Sequence, residues 1–312
     1  MPESVYTPFL RRRCGIADSG AAALAAVFPE RSERQEDKTV MKEKRWVVAA
    51  KKADFRGLGR TFGLDPVIIR LMVNRGIDTE DKIREYLNGS LEDLHSPHLM
   101  KDAEKAADII FSVIYRKKTI VISSDFDVDG IFSAMILYTG LRRLGASVLI
   151  RTPDRIREGY GINRRIVDDA AEAGAGLILP CDNGIAAMDA LAYSRERDIP
   201  VIVTDHHEVA YEETPEGKKY ILPEAEAILD PHQPDCGYPF RKLCGAGVAL
   251  KLVILLYEKK GLPADAWREL LEYAAIATVA DVVDLEDENR IIVRYGMELL
   301  KKTKNPGLQA LM

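Results

Sequence analysis

The sequence predicts an α/β protein with a parallel sheet covered by helices on both faces, preceded by a small helical subdomain. Two observations lead to this prediction. From residue 119 onward, short apolar runs alternate with segments of helical length, as in right-handed βαβ units. These runs are almost continuously apolar, which is typical of strands buried on both faces. Ligands bind such sheets at the carboxyl ends of the strands, so residues that directly follow a strand are candidates for a functional site.

Five strands and three intervening helices are predicted in this region. The strands are Thr119–Ser124, Ser147–Thr152, Leu177–Cys181, Pro200–Thr204 and Ala227–Asp230, and the helices are Ile131–Leu144, Asn163–Ala173 and Ala186–Arg197. Each helix has a length suited to a crossover between parallel strands.

The region before the first strand has a helical pattern. Asp65 is placed as an N-cap with Pro66 at the first helical position, and apolar residues follow at Val67, Ile68, Leu71 and Met72. Two further helices are predicted, one beginning around residues 78–80 and one over 100–115. Residues 1–44 mix alanine with dense charge and are expected to form a weakly ordered extension, with Met41 as an alternative start. The predicted organisation is therefore an extension (1–44), a helical subdomain (45–116) and a catalytic domain (117–312).

Composition and charge restrict the class of protein. The net charge of -5 over 312 residues argues against a protein that holds nucleic acid by its overall field, so a polyanion would need a local basic surface. The four cysteines form no CxxC pair, which favours a reduced, cytoplasmic protein. No apolar run approaches the roughly 18 residues that a membrane span needs. Asp18 interrupts the alanine-rich stretch after the arginines at 11–13, so export is not expected.

The stretch after the first strand concentrates negative charge. Asp125, Asp127 and Asp129 occupy alternate positions and Gly130 follows them. Three carboxylates this close together are unfavourable unless a cation neutralises them, so the pattern predicts a metal site. A calcium loop of the EF-hand type would need a glutamate at its twelfth position, where this chain has Ile136.

Three other strand or helix ends carry metal-ligating side chains. Asp182-Asn183-Gly184 follows the third strand, Asp205-His206-His207 the fourth, and Asp281 ends a later helical run. Taken singly, these residues could form a turn, an exposed histidine pair and a helix cap. Because the predicted fold brings all of them to one edge of the sheet, they are expected to form one site. Carboxylates with imidazole suit Mn²⁺ or Mg²⁺.

The order of these motifs resembles the DHH phosphoesterase superfamily, and within it the RecJ-type single-strand-specific 5′ to 3′ DNA exonucleases. The resemblance covers approximately residues 46–312. Its segments are SSDFDVDG at 123–130, PDRIREGYGI at 153–162, CDNGI at 181–185, TDHHE at 204–208, DPHQPDCGYPFRKLCGAGVALKL at 230–252 and ATVADVVDLEDENRIIVRYG at 277–296.

The resemblance implies a site with two divalent ions. Asp182 would bridge them, with Asp127 on one ion. The other ion would be held by Asp129, His206 and Asp281. Many relatives have a histidine where this chain has Ser123, so the first ion is expected to be held less tightly, with Asp125 or water filling in.

The resemblance also implies roles around the metals. His207 would lie near the scissile phosphate as an electrostatic stabiliser or proton donor, and Asp205 would orient the neighbouring imidazoles. Asp182 would be essential for catalysis as the bridging ligand.

Five arginines lie between residues 151 and 165, where a phosphate-binding surface and a solvated loop are both consistent with the sequence. Arg155 falls in the family's Arg-x-x-x-Gly-Tyr-Gly segment, and Tyr160 is placed to stack on a base. Gly245 and Gly247 open an apolar helix, so their amides could cradle a phosphate. Close helix packing explains these two glycines equally well.

The function implied by the resemblance is metal-dependent exonuclease activity on single-stranded DNA, in DNA repair and recombination. Single-strand-binding protein and helicase are candidate partners. Relatives continue into a second domain that clamps the nucleic acid, so a chain ending at Met312 is expected to act weakly and with poor processivity. The alternatives are a phosphodiesterase for short oligonucleotides or signalling dinucleotides, and an inert truncated form.

Overall fold

The computed structural model describes residues 51–312, which form one compact unit. The predictions for residues 1–44, and the start of the helical subdomain at residues 45–50, lie outside the described residues. The boundary predicted between residues 116 and 117 falls within the compact unit and stays a prediction.

A five-stranded parallel sheet forms the centre of the unit, as predicted. Its strands in chain order are β1 (Thr119–Ser124), β2 (Ser147–Arg151), β3 (Ala175–Cys181), β4 (Ile202–Thr204) and β7 (Ala227–Leu229). Their spatial order is β2-β1-β3-β4-β7, and every pairing is parallel. The order reverses direction between β1 and β3, which is the switch point where open parallel sheets bind ligands.

Residues 51–312 contain eleven α-helices. They are α1 (Phe55–Phe62), α2 (Pro66–Asn74), α3 (Glu80–Asn88), α4 (Ala103–Tyr115), α5 (Val128–Arg143), α6 (Arg164–Glu172), α7 (Met188–Glu196), α8 (Gly245–Lys260), α9 (Leu271–Ala280), α10 (Asp287–Leu300) and α11 (Pro306–Leu311). One face of the sheet packs against α4, α5 and α8, and the other against α6 and α7. Helices on both faces confirm the predicted architecture.

Helix α2 begins as predicted but buries a different set of side chains. The Asp65 side chain accepts a hydrogen bond from the Val67 amide, and Pro66 occupies the first turn. The buried residues are Ile69, Met72 and Val73. Three of the four apolar residues singled out from sequence, Val67, Ile68 and Leu71, are exposed. An almost uninterrupted apolar run has no clear period, so the sequence could not show which side faces the core.

One element was absent from the predictions. Strands β5 (Tyr211–Thr214) and β6 (Gly217–Tyr220) pair as an antiparallel hairpin that is separate from the main sheet. The hairpin is mostly exposed, so its residues YEETPEGKKY carry no apolar alternation to reveal it.

Helix α8 runs through the protein interior. Its residues from Gly245 to Tyr257 are all buried, including Lys251, whose ammonium group pairs with the equally buried Glu288 and donates to the His95 carbonyl. Despite this apolar character, neither α8 nor any other helix in residues 51–312 combines the length and hydropathy of a membrane span.

Helices α5 and α8 cross closely at a glycine. A Cβ atom added to Gly140 would lie 2.6 Å from Cγ2 of Val253, so only glycine fits at this crossing. The crossing brings the beginnings of the two helices to the same end of the sheet.

We expect the substitution Gly140→Val to lower the free energy of unfolding by about 1–3 kcal/mol, because the added methyl groups overpack the crossing. Urea denaturation of the two single variants and of Gly140→Val/Val253→Ala measures the effect. The double variant should lose less stability than the sum of the single losses, since the smaller residue 253 makes room for the larger residue 140. Strictly additive losses would show that the two residues do not share this space.

Candidate metal centre

The candidate site lies at the carboxyl ends of β1, β3 and β4, beside the switch point of the sheet. Asp125 follows β1, Asp182 follows β3 and Asp205 follows β4. All three are buried, with at most 4% of their surface exposed. The parallel register places Ser124 opposite Cys181 and Cys181 opposite Thr204, so the residues after these strands come together.

The His206 side chain is the centre of the site. Its Nε2 atom lies 3.1 Å from Oδ1 of Asp182, 3.5 Å from Oδ2 of Asp129 and 3.9 Å from Oδ2 of Asp281. Residues from two strand ends, one helix start and one helix end thus converge on one nitrogen atom. Sequence reasoning predicted that these four residues would meet, and the structure brings them together.

Two overlapping groups of side chains have ligand atoms within 4.8 Å of one another. One group is Asp129, His206 and Asp281, and the other is Asp182, His206 and His207. The first contains the three residues expected to share an ion. The second contains His207 where Asp127 was expected.

Asp125 and Asp127 lie outside both groups. The Asp127 side chain caps α5 by accepting a hydrogen bond from the Gly130 amide at 2.9 Å, and its residue is exposed. The Asp125 side chain accepts from the Phe126 amide at 2.6 Å. Their metal-binding roles stay predictions.

Asp129 is held by the beginning of α8. Its Oδ2 accepts a hydrogen bond from the Gly245 amide at 2.6 Å, and its Oδ1 accepts one from the Ala246 amide at 2.8 Å. The positive end of a helix stabilises a buried carboxylate in this way. The predicted phosphate cradle is therefore corrected at Gly245, because Asp129 already uses the amide.

Packing requires glycine at position 245 and favours it at position 247. A Cβ atom at Gly245 would lie 2.7 Å from Cβ of Asp182, and one at Gly247 would lie 3.1 Å from Cδ2 of Leu243. The structure thus favours the packing explanation for the two glycines. Gly245 also allows Asp182 to approach the start of α8.

The carboxylates raise one another's proton affinity. Burial, together with Asp129 and Asp127 nearby, raises the pKa of Asp182 to about 11. Burial is also the main cause of the raised pKa values of Asp125 and Asp281. The backbone of Asp182 has a φ of 59°, which lies in the left-handed region. This conformation is uncommon for residues other than glycine, and it sets the direction of the side chain at the end of β3. Several buried carboxylates around one imidazole form a site whose charge a divalent cation would balance, so the residues fit the expected metal.

Asp205 orients His207, as expected from the resemblance. Its Oδ1 accepts from Nδ1 of His207 at 2.7 Å and from the His206 amide at 2.8 Å, and its Oδ2 accepts from the Ile185 amide at 2.9 Å. Burial opposes ionisation of Asp205, but these hydrogen bonds hold its pKa below the ordinary value. The bond to Asp205 also raises the pKa of His207. His207 is thereby fixed with Nδ1 occupied and Nε2 available.

An aromatic and cationic surface lies next to the acidic site. The rings of Phe126 and Tyr160 are 4.5 Å apart, and the Arg155 guanidinium lies 5.4 Å from the centre of the Phe126 ring. Tyr160 is 71% exposed. We call these three residues the aromatic platform. Arg155 and Tyr160 were predicted from sequence, whereas Phe126 was missed although it stands between two of the singled-out aspartates.

Three of the remaining arginines have partners within the protein. Arg165 pairs with Glu158 and Asp169, and Arg151 also pairs with Asp169. Arg164 lies over the Tyr193 ring at 4.5 Å. For these three residues the solvated-surface interpretation of the arginine cluster fits the structure better than phosphate binding.

A further buried carboxylate went unnoticed in the sequence. Asp230 follows β7, is fully buried, and has its pKa raised to about 7 by burial and by the nearby Asp205. Its Oδ1 accepts from the His232 amide at 2.7 Å. It is the last residue of the fifth predicted strand, Ala227–Asp230, and this position at a strand end was the signal that could have added it to the acidic strand ends.

Comparison with known proteins identifies the family. Residues 119–278 match the model of the DHH family, N-terminal domain, which covers half of the chain and begins at β1. The chain belongs to the DHH family. This match contains all the strands of the main sheet and most of the predicted site residues, while Asp281 lies just beyond it.

Similar members of the DHH family have described activities. The chain is 38% identical over 269 residues to the single-stranded-DNA-specific exonuclease RecJ of Bacillus subtilis, covering 86% of this chain and 32% of the relative. It is 34% identical over 260 residues to the protein of the same name from Escherichia coli, covering 80% of this chain and 43% of the relative. The chain therefore spans less than half the length of these two relatives.

The fold is similar to that of a solved relative. The structure of RecJ in complex with Mn²⁺ from Thermus thermophilus has a TM-score of 0.65 and 29% identity, and the match covers 82% of this chain and 35% of the other. This similarity confirms the predicted parallel sheet with a preceding helical region.

We predict that Gly245→Ala weakens Mn²⁺ binding at least about tenfold. The new methyl group would displace Asp182 and disturb the hydrogen bonds from the amides to Asp129. Misplacing a metal ligand changes metal affinity on this scale. Isothermal titration with Mn²⁺ measures the affinity. Gly247→Ala is the matched control, since its methyl group would contact only the Leu243 side chain. Equal affinities in the two variants would contradict the assignment of Gly245 to the metal centre.

Proposed function

We propose that this chain is the metal-dependent catalytic part of a RecJ-type exonuclease that hydrolyses single-stranded DNA from 5′ to 3′, in DNA repair and recombination. One observation carries the proposal, namely the convergence of three carboxylates on His206 directly beside the aromatic platform. The first element suits divalent metals, and the second suits unpaired bases. The relatives named for this activity share this part of the fold.

The residues that would hold Mn²⁺ or Mg²⁺ are those gathered around His206. Asp129, His206 and Asp281 would hold one ion, and Asp182 would be shared with a second ion, to which Asp127 and Asp125 would contribute. When bound, divalent ions stabilise the charge that develops on phosphoryl oxygens and lower the pKa of bound water. Solved RecJ structures with Mn²⁺ support this choice of metal.

His207 would contact the phosphate of the substrate, and Asp205 would hold His207 in position. Asp205 fixes the ring of His207 through Nδ1, so Nε2 can donate to a phosphate oxygen or to the leaving group. The buried Asp205 acts as a positioning group.

The aromatic platform would bind the strand. Stacking on Phe126 and Tyr160 accepts any base, since every base offers a π face, and Arg155 adds positive charge for the backbone. Arg155 would thus provide the local positive charge that a chain with a negative net charge needs in order to bind a polyanion.

The buried free thiols of Cys181, Cys236 and Cys244 support the proposed cytoplasmic location. Single-strand-binding protein and helicase stay predictions from the resemblance.

The deciding experiment compares hydrolysis of a 5′-labelled single-stranded 20-mer with hydrolysis of pApA, each in Mn²⁺. The proposal expects mononucleotides released from the 5′ end of the 20-mer at a higher catalytic efficiency than for pApA. Preference for pApA would support the phosphodiesterase alternative instead. Hydrolysis of neither substrate by a chain that binds Mn²⁺ would support the inert alternative.

Asp182→Ala should abolish both Mn²⁺ binding at the shared position and hydrolysis, because this carboxylate belongs to one ligand group and lies 3.1 Å from Nε2 of His206, the residue that both groups share. Mn²⁺ titration and the 20-mer assay measure the two effects. Asp189→Ala is the control, since Asp189 is an exposed carboxylate in the segment after the same strand. An unchanged Mn²⁺ titration in Asp182→Ala would refute the bridging assignment.

Phe126→Leu should raise KM for the 20-mer about 5- to 150-fold, the range that corresponds to about 1–3 kcal/mol for one stacked base. Leucine keeps an apolar side chain between the two aspartates, so Mn²⁺ affinity should be retained. Steady-state kinetics at saturating Mn²⁺ separate KM from kcat. A loss of Mn²⁺ affinity without a change in KM would instead assign Phe126 to the metal centre.

A further inference from the structure

The side chain of Asn183 joins three parts of the protein. Its Nδ2 donates hydrogen bonds to the carbonyl of Ser123 at 3.0 Å and to the carbonyl of Cys181 at 2.8 Å, and its Oδ1 accepts from the Ile162 amide at 3.1 Å. Only 8% of the residue is exposed. Both donor hydrogens and one acceptor position of the amide are therefore in use.

Two of these bonds lie at the base of the metal centre. Ser123 is two residues before Asp125, and Cys181 is directly before Asp182. These carbonyls belong to residues among the last two of β1 and of β3, and buried carbonyls need hydrogen-bond donors. The Asn183 amide supplies them and so fixes its own position relative to both strands.

The third bond reaches the segment that carries two residues of the aromatic platform. We call residues 153–162 the platform segment, since Arg155 and Tyr160 belong to it. Gly161 has φ of 77°, and a Cβ atom there would lie 3.5 Å from Cβ of Asn183, so the backbone passes directly over this side chain. The Ile162 amide then donates to Asn183.

Most other hydrogen bonds of the platform segment are local, except that Glu158 pairs with Arg165 of α6 and the Gly161 amide donates to the Asp125 carboxylate. The amides of Ile156, Arg157 and Glu158 donate to Asp154, and the Asp154 amide donates to Glu158. These bonds shape the turn but do not place it relative to the strand ends. The bond from Ile162 to Asn183 connects the turn to the carbonyls next to Asp125 and Asp182.

We propose that Asn183 is a positioning residue that sets the platform segment in register with the metal centre, so that a strand held by Tyr160 and Arg155 presents its phosphate to the metal ligands. This inference rests on the proposed function for its consequence in catalysis. The hydrogen bonds on which it depends can be tested independently of any activity.

Hydrogen exchange followed by mass spectrometry tests the anchoring. In Asn183→Ala, peptides covering residues 155–163 should exchange faster than in the wild type, while peptides from β2 and α5 keep their protection. Gln233→Ala is the matched control, because Gln233 is also a buried amide that donates to a strand carbonyl, that of Ile228 in β7. Unchanged exchange over 155–163 in Asn183→Ala would overturn the proposal.

Kinetics test the consequence. Asn183→Ala should raise KM for the single-stranded 20-mer about 10- to 100-fold, the scale of a misplaced binding group, with Mn²⁺ affinity unchanged. Adding Tyr160→Ala to Asn183→Ala should have little further effect, because both substitutions remove the same contact with the strand. A parallel loss of Mn²⁺ affinity, or additive effects of the two substitutions, would show a purely structural role.

A second variant covers the case in which Asn183→Ala does not fold. Gly161→Ala strains the platform segment from its own side, because alanine disfavours positive φ, and it leaves the strand ends untouched. It should reproduce the rise in KM with unchanged Mn²⁺ affinity, and a wild-type KM in this variant would contradict the proposal. If the wild-type chain hydrolysed no DNA at all, the proposed function would fail, whereas the exchange data would still decide whether Asn183 anchors the segment.

Discussion

The site depends on the contact between the Asp129 carboxylate and the first amides of α8. Asp129 is 2% exposed and lies close to other carboxylates, an unfavourable position for an ion. Two short bonds from Gly245 and Ala246 supply positive partial charge at this point. Asp129 itself lies in the first turn of α5, so the positive ends of two helices meet at this carboxylate.

This contact explains several features that would otherwise be unrelated. The two helices can meet only because Gly140 lets them cross closely at Val253. Residue 245 must be glycine because its amide has to reach Asp129 while Asp182 packs against its Cα atom. With α5 and α8 fixed in this way, α9 packs beside α5 and brings Asp281 to the same imidazole.

The sequence was sufficient for the sheet, the helices on both faces and the convergence of Asp129, Asp182, His206 and Asp281. These features follow from apolar periodicity and from the rule that parallel strands end at one edge. The sequence did not show which hydrogen-bond partner each group has. The start of α8 was interpreted either as a phosphate cradle or as a site of close packing, and the sequence does not show that the Asp129 carboxylate accepts hydrogen bonds from the amides of Gly245 and Ala246. The hairpin β5–β6 is polar, so it lacks the apolar pattern from which strands were predicted. The apolar run of α2 has no clear period, so the buried face of this helix could not be predicted.

The occupied helix terminus changes how a phosphate can be recognised here. If the first amides of α8 were free, the helix could bind the substrate anion directly. Because they hold Asp129, the phosphate contact proposed above would take its positive charge from other groups, namely His207, Arg155 and a bound metal ion. Two of these, Arg155 and the Asp205-supported His207, lie on segments joined to the strand ends by hydrogen bonds from Ile162 and Ile185. The proposed phosphate contacts of His207 and Arg155 would therefore be positioned by the same strand ends that carry the candidate metal ligands, so the acidic and basic parts of the site would keep one geometry relative to each other.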